Sequence, residues 1–167
     1  MLSSISRALR AAATPRPLSR AAAVASWTFQ VIAAAILAQT LFFKFTGADE
    51  ARFIFSTLGV EPWGRYATGT LELTAVLLVL TPRTILFGAG LVVGLMIGAV
   101  GAHLGPLGIE VQDDGGLLFG LAVVSLGAGI SILALRRTQV RAAVGAFRNR
   151  ETDRHVREPA SDPRARG

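Results

Sequence analysis

One carboxylate interrupts the long apolar run between Glu61 and Pro82, EPWGRYATGTLELTAVLLVLTP, and it is Glu72. An ionisable side chain at membrane depth costs on the order of 2.5–3.5 kcal/mol on insertion scales, so it normally faces a partner or a wet cavity. Arg65, Thr68, Gly69 and Glu72 fall at i, i+3, i+4 and i+7, which places them on one stripe of a helix. Such a stripe supports two kinds of chemistry. A carboxylate beside a titratable partner can hold and pass a proton, whereas one beside a permanent cation forms a neutral pair that fixes helix register. The partners on offer are few: Lys44, the single lysine of the chain, Arg65, and His103, the one histidine within the apolar blocks. Asp113 and Asp114 border the last of those blocks. These residues can act together only if separate helices bring them to one place.

The composition says what kind of helices those are. About half of the 167 residues are hydrophobic, and they come in long blocks, as in a membrane protein. There are no cysteines, which excludes disulfides, thiolate metal sites and thiol redox chemistry carried by this chain. The net charge is +6, and thirteen of the seventeen basic residues lie either in the N-terminal arm or from Arg136 onward. That segregation fits lipid headgroups and membrane topology rather than a nucleic-acid surface.

Three regions follow. Residues 1–23 form a basic arm with Arg7, Arg10, Arg16 and Arg20 and no acid, suited to a mitochondrial transit peptide or to a cytoplasmic topology signal. Residues 24–137 carry four spans. The first runs from Val24 to Phe43 with Trp27 as an interface anchor, Gln30, Gln39 and Thr40 as polar interruptions, and Lys44 closing it. A short amphipathic helix follows between Thr46 and Gly64, too short to span and suited to the interface or to capping the bundle. The second span covers Arg65 to Thr81, and the tight Pro82–Arg83 turn makes the third, Thr84 to Leu104, its antiparallel neighbour. Gly90, Gly94 and Gly98 recur at i+4 along that third span, a register for close helix packing. The acid-only loop Gly105 to Gly116 leads to the fourth span, Gly115 to Leu135, stopped by Arg136 and Arg137. Residues 138–167 form a basic tail: Thr138 to Phe147 suits an amphipathic helix on lipid, and the composition of the rest predicts disorder.

Four spans put both termini on one side. The arm, the turn and the tail are positive and the Gly105–Gly116 loop is acidic, so the positive-inside rule places the termini in the cytoplasm of a bacterial plasma membrane or, with a transit peptide, in the mitochondrial matrix. Lys44, Arg65, His103, Asp113 and Asp114 then all lie at the outer end, with Glu72 about 10 Å below Arg65. The expected fold is an all-α membrane four-helix bundle with a short interfacial helix between spans 1 and 2, its polar cluster in the outer half.

The runs LFFKFTG, GVEPWGRYATGTLEL, PRT, GLMIGAVGAHL and DDGGLLFGLA resemble the DoxX family of small four-span membrane proteins, over about Trp27 to Arg137. The matching residues include Lys44, Gly47, Glu72 and Leu73. The resemblance implies a membrane bundle and, from named members, association with quinone-linked sulfur oxidation and with oxidative-stress complexes. Two functions compete. In one the chain is an accessory subunit of a membrane redox system, not a stand-alone enzyme, and Glu72, His103 and Lys44 line a quinone-headgroup or small-anion pocket. In the other it is a structural or interaction protein in which Glu72 pairs with Lys44 or Arg65 and sets register. One histidine cannot give a bis-histidine haem, and no cysteine means no iron–sulfur ligation, so neither group is expected. The partners expected are the lipid bilayer and other subunits of a membrane complex, with no nucleic acid and no metal.

Overall fold

The structure is a computed structural model and describes residues 18–142 together with Gly145. Every regular element in it is helical. Helix α1 covers Arg20–Thr46. Its start precedes the apolar boundary at Val24 because Ala21, Ala22 and Ala23 are strong helix formers, and the Ser19 hydroxyl caps it by accepting the Ala22 N–H at 3.2 Å. It ends where Gly47 turns left-handed (φ 67°), a conformation that a side chain resists. The Arg52 guanidinium also crowds this position, its Nε 3.1 Å from where a Cβ would sit. At 27 residues, α1 is about 40 Å long and exceeds the hydrocarbon thickness of about 30 Å. Its Lys44 end therefore reaches the interface.

Helix α2, Asp49–Thr57, starts with two acids that suit the positive end of its dipole. It buries Ala51 and Phe55 and turns Phe53 outward, resting on α1 and on α3, Trp63–Leu80. It is the short helix expected between the first two spans. Phe42, Phe43, Phe45, Trp63 and Tyr66 are exposed around this end, the ring of amphipathic and apolar aromatics found where bilayer meets water. Helix α4 is Ile85–Leu104 and α5 is Leu117–Leu135.

Leu18–Leu135 forms one compact unit, and a second unit begins at Arg136. In the first, α1 packs on α3, α3 on α4, α4 on α5 and α5 back on α1, closing a four-helix ring. Neighbours run antiparallel: Val79 near the end of α3 meets Gly88 near the start of α4, and Gly129 of α5 meets Ala89, Val92 and Val93 of α4. The core between them is built from small and branched residues, among them Ala33, Leu37, Ala75, Val92 and Ala128. By length and composition α1, α4 and α5 can each cross a membrane. Helix α3 has 18 residues, enough for most of a span, but Arg65 and Glu72 within it lower its hydropathy.

The glycine register is a correction. Gly90, Gly94 and Gly98 lie outside the ring, and a Cβ at any of them would meet nothing within 4 Å. The row does not pack helix on helix within this chain. Close approach falls instead to Gly88, whose Cβ would sit 2.3 Å from the Val79 backbone nitrogen, and to Gly129, at 2.9 Å from Val93 Cγ2.

In the second unit residues 137–142 are helical, and Arg136 Nη1 donates to Gln139 Oε1 at 3.1 Å. The remainder of the expected tail helix, the disorder expected beyond it, and residues 1–17 of the arm lie outside the described residues.

Candidate polar site at the Lys44 end of the bundle

Glu72 sits on the inward face of α3 and is buried. Its Oε2 lies 2.9 Å from Lys44 Nζ and accepts the Thr40 hydroxyl at 3.0 Å. Both partners come from the last turns of α1. Thr40 also lies 2.8 Å from the Leu37 carbonyl in its own helix, so its single proton is shared between a carbonyl and a carboxylate. The long Lys44 stem lets the ammonium reach inward from the interface, and its side chain is 15 % exposed against 8 % for Glu72. The pair is neutral as a unit.

Arg65, seven residues earlier, does not reach Glu72. Its Nε lies 3.0 Å from Glu61 Oε1 and its Nη2 2.8 Å from the same oxygen, one turn back along the chain. Its Nη1 donates to the Lys44 carbonyl, and its guanidinium lies 4.4 Å from the centre of the Tyr66 ring. One side chain thus offers charge to an unpaired carbonyl at the negative end of α1 and ties that end to the start of α3.

His103 is buried at the end of α4. Its Nδ1 lies 2.9 Å from the Gly108 carbonyl. A carbonyl can only accept, so the bond fixes Nδ1 as the protonated nitrogen. Phe119 of α5 packs edge-on at 5.8 Å between ring centres. The imidazole pins the loop between α4 and α5.

Asp114 organises the rest of that loop. Its carboxylate accepts the N–H groups of Val111 (2.8 Å), Gly116 (2.9 Å) and Leu118 (2.8 Å) and so caps α5. Burial alone pushes this carboxyl up, but the three N–H donors and the nearby His103 outweigh it and hold the group below the usual carboxylate range. A carboxyl depressed in the folded state stabilises the fold above its unfolded value of about 3.9, and the contribution disappears as pH falls through the folded value. Asp114→Ala is expected to cost about 1 kcal/mol at neutral pH, as lost caps do. In thermal unfolding in detergent, the gap between variant and parent should close as pH is lowered below about 4.

Of the sequence-derived cluster, the structure brings together Lys44 and Glu72. Arg65 touches the same turn of α1 but pairs elsewhere, His103 and Asp114 hold one loop, and Asp113 is exposed with φ 61°. Among the described residues no three His, Asp or Glu side chains gather in a way that could hold a metal ion. A groove of about 510 Å³ runs along the outside of α1 past Val24, Trp27 and Val31, apolar and remote from the charges. Sequence reasoning missed the roles of Thr40 and Glu61. The Glu61–Arg65 spacing of i, i+4 was a usable signal for the second; nothing local marked the first.

In comparison with known families, the model described as the DoxX-like family matches residues 28–111, half of the chain. It runs from α1 through α4 into the Asp114 loop and stops short of α5. No curated protein and no solved structure matches.

Proposed function

The chain belongs to the DoxX-like family and is an integral membrane protein, and from that premise we propose that it is an accessory subunit contributing a rigid bundle to a membrane assembly, without a reaction of its own. One observation supports this above the others: Glu72, the residue best placed for intramembrane chemistry, has its charge balanced by Lys44 and its Oε2 held by Lys44 and Thr40 from within the same chain. Arg65 and His103 are likewise engaged in tying helix ends and loops. A redox assembly is the setting that the family resemblance suggests, with quinone as the bound molecule to look for. The basic termini support an orientation with both termini on the cytoplasmic or matrix side and the Lys44–Glu72 pair toward the opposite face.

The test is purification in mild detergent followed by extraction of lipid-soluble molecules. Lipid alone, with other membrane subunits retained, is the expected result. Quinone in near-stoichiometric amount on the isolated chain would overturn the purely structural role and restore a headgroup site near Glu72.

A further inference from the structure

Between Val24 and Leu135 the chain has four basic residues, and three of them, Lys44, Arg52 and Arg65, gather at one end of the bundle. Lys44 is paired with Glu72, and Arg65 with Glu61. The Arg52 side chain, on α2, makes no ion pair and no hydrogen bond among the described residues. Acids are at hand: Asp49 and Glu50 start the same helix, and Asp49 stands at the i, i+3 spacing of helical ion pairs. The Arg52 guanidinium passes both over. It lies against Gly47 instead, with Nε 3.1 Å and Nη2 3.2 Å from where a Cβ would sit, and Arg65 Nη1 is 3.4 Å from the same point.

Two guanidiniums thus border one small space. Like charges at that range repel, and Arg52 is exposed, so nothing prevents it from swinging into water. Its place beside a second guanidinium calls for a counter-ion. Arg65 cannot leave, being 3 % exposed and held by Glu61 and the Lys44 carbonyl. Of the five N–H donors of a guanidinium, those contacts use Nε, Nη2 and one hydrogen of Nη1. Nη1 therefore keeps a second hydrogen beside Gly47, and Arg52 keeps all of its own. Gly47 puts no side chain between them, and its N–H is already given to the Phe43 carbonyl.

We propose that Arg52 and Arg65, meeting at Gly47, bind a phosphate group. The planar fork of Arg52 matches two phosphate oxygens, and Arg65 Nη1 supplies a further donor. Position favours phosphate over other anions. Exposed Phe45, Trp63 and Tyr66 mark this end as the level where bilayer meets water, which is the depth of lipid headgroups. Asp49 and Glu50 oppose a polyanion, so the site suits one phosphate. It goes beyond the accessory role, which stands with or without it.

Arg52→Ala tests the site without endangering the fold, because Arg52 is exposed and unpaired. The full-length protein, delipidated in detergent, is titrated with phosphatidylglycerol and separately with inorganic phosphate at matched ionic strength. At tenfold excess over half-saturation, the Tm of the parent should rise by about 3–6 °C. Arg52→Ala should lose that rise, while Arg83→Ala, which removes an exposed arginine from the turn between α3 and α4, should keep it. A response to phosphatidylglycerol but not to inorganic phosphate assigns the site to a lipid headgroup. A response to inorganic phosphate assigns it to a soluble phosphate group. No rise with either probe overturns the site, as does an undiminished rise in Arg52→Ala or an equal loss in Arg83→Ala.

Discussion

Gly88→Ala should destabilise the bundle more than any other added methyl group. A Cβ there would lie 2.3 Å from Val79 N, 2.6 Å from Leu78 C and 2.7 Å from Val79 Cα. All three are backbone atoms of α3, which cannot rotate aside as a side chain can. Overpacking typically costs 1–3 kcal/mol, and a contact with backbone belongs at or above the upper end of that range, about 3 kcal/mol. Helix association in a bilayer rests mainly on such close packing, so there is little else to offset it. The expected readout is a large fall in detergent Tm and in folded yield, while Gly94→Leu, on the open row, leaves both unchanged. Equal effects at the two positions would mean that α4 is rotated from the orientation described.

The second large effect concerns Lys44 and Glu72, and it should be asymmetric. Removing one partner of a buried pair typically costs about 3–5 kcal/mol because the other charge is stranded. Lys44→Met strands Glu72, whose short side chain cannot leave the core, so the full cost is expected. Glu72→Gln strands Lys44, which can turn its ammonium to the interface, and glutamine still accepts from Thr40; its cost should be smaller. Combining Lys44→Met with Glu72→Gln should recover most of the loss seen in Lys44→Met alone, and a double-mutant cycle on Tm measures the coupling. Additive losses would mean that the two side chains stabilise the bundle independently.

How much of this was legible beforehand depended on whether the information was local. Span lengths, the Pro82–Arg83 turn and the acid-only loop fixed the helix order, since each is set by a contiguous stretch of chain. The Lys44–Glu72 pairing was readable as one of a few options because Lys44 is the only lysine. The orientation of α4 was not. That helix is apolar on every side, so periodicity carried no sign of which face looks inward, and the regular Gly90–Gly94–Gly98 row drew attention away from Gly88. Asp114 was seen as one of a pair of acids, but its role as a cap depends on the backbone of a loop whose shape no short motif dictates.

The pairing of Glu72 with α1 also has a consequence for biogenesis. Helix α3 carries Arg65 and Glu72 and is the long helix not among the three apolar enough to cross a membrane on their own, so its partition from the translocation machinery into lipid is unfavourable in isolation. Helix α1 precedes it in the chain and brings Lys44, Thr40 and a carbonyl for Arg65. The expected consequence is that α1 assists the insertion of α3, the two entering the bilayer as a hairpin. Lys44→Met should then lower the amount of protein that reaches the membrane as well as the stability of what arrives.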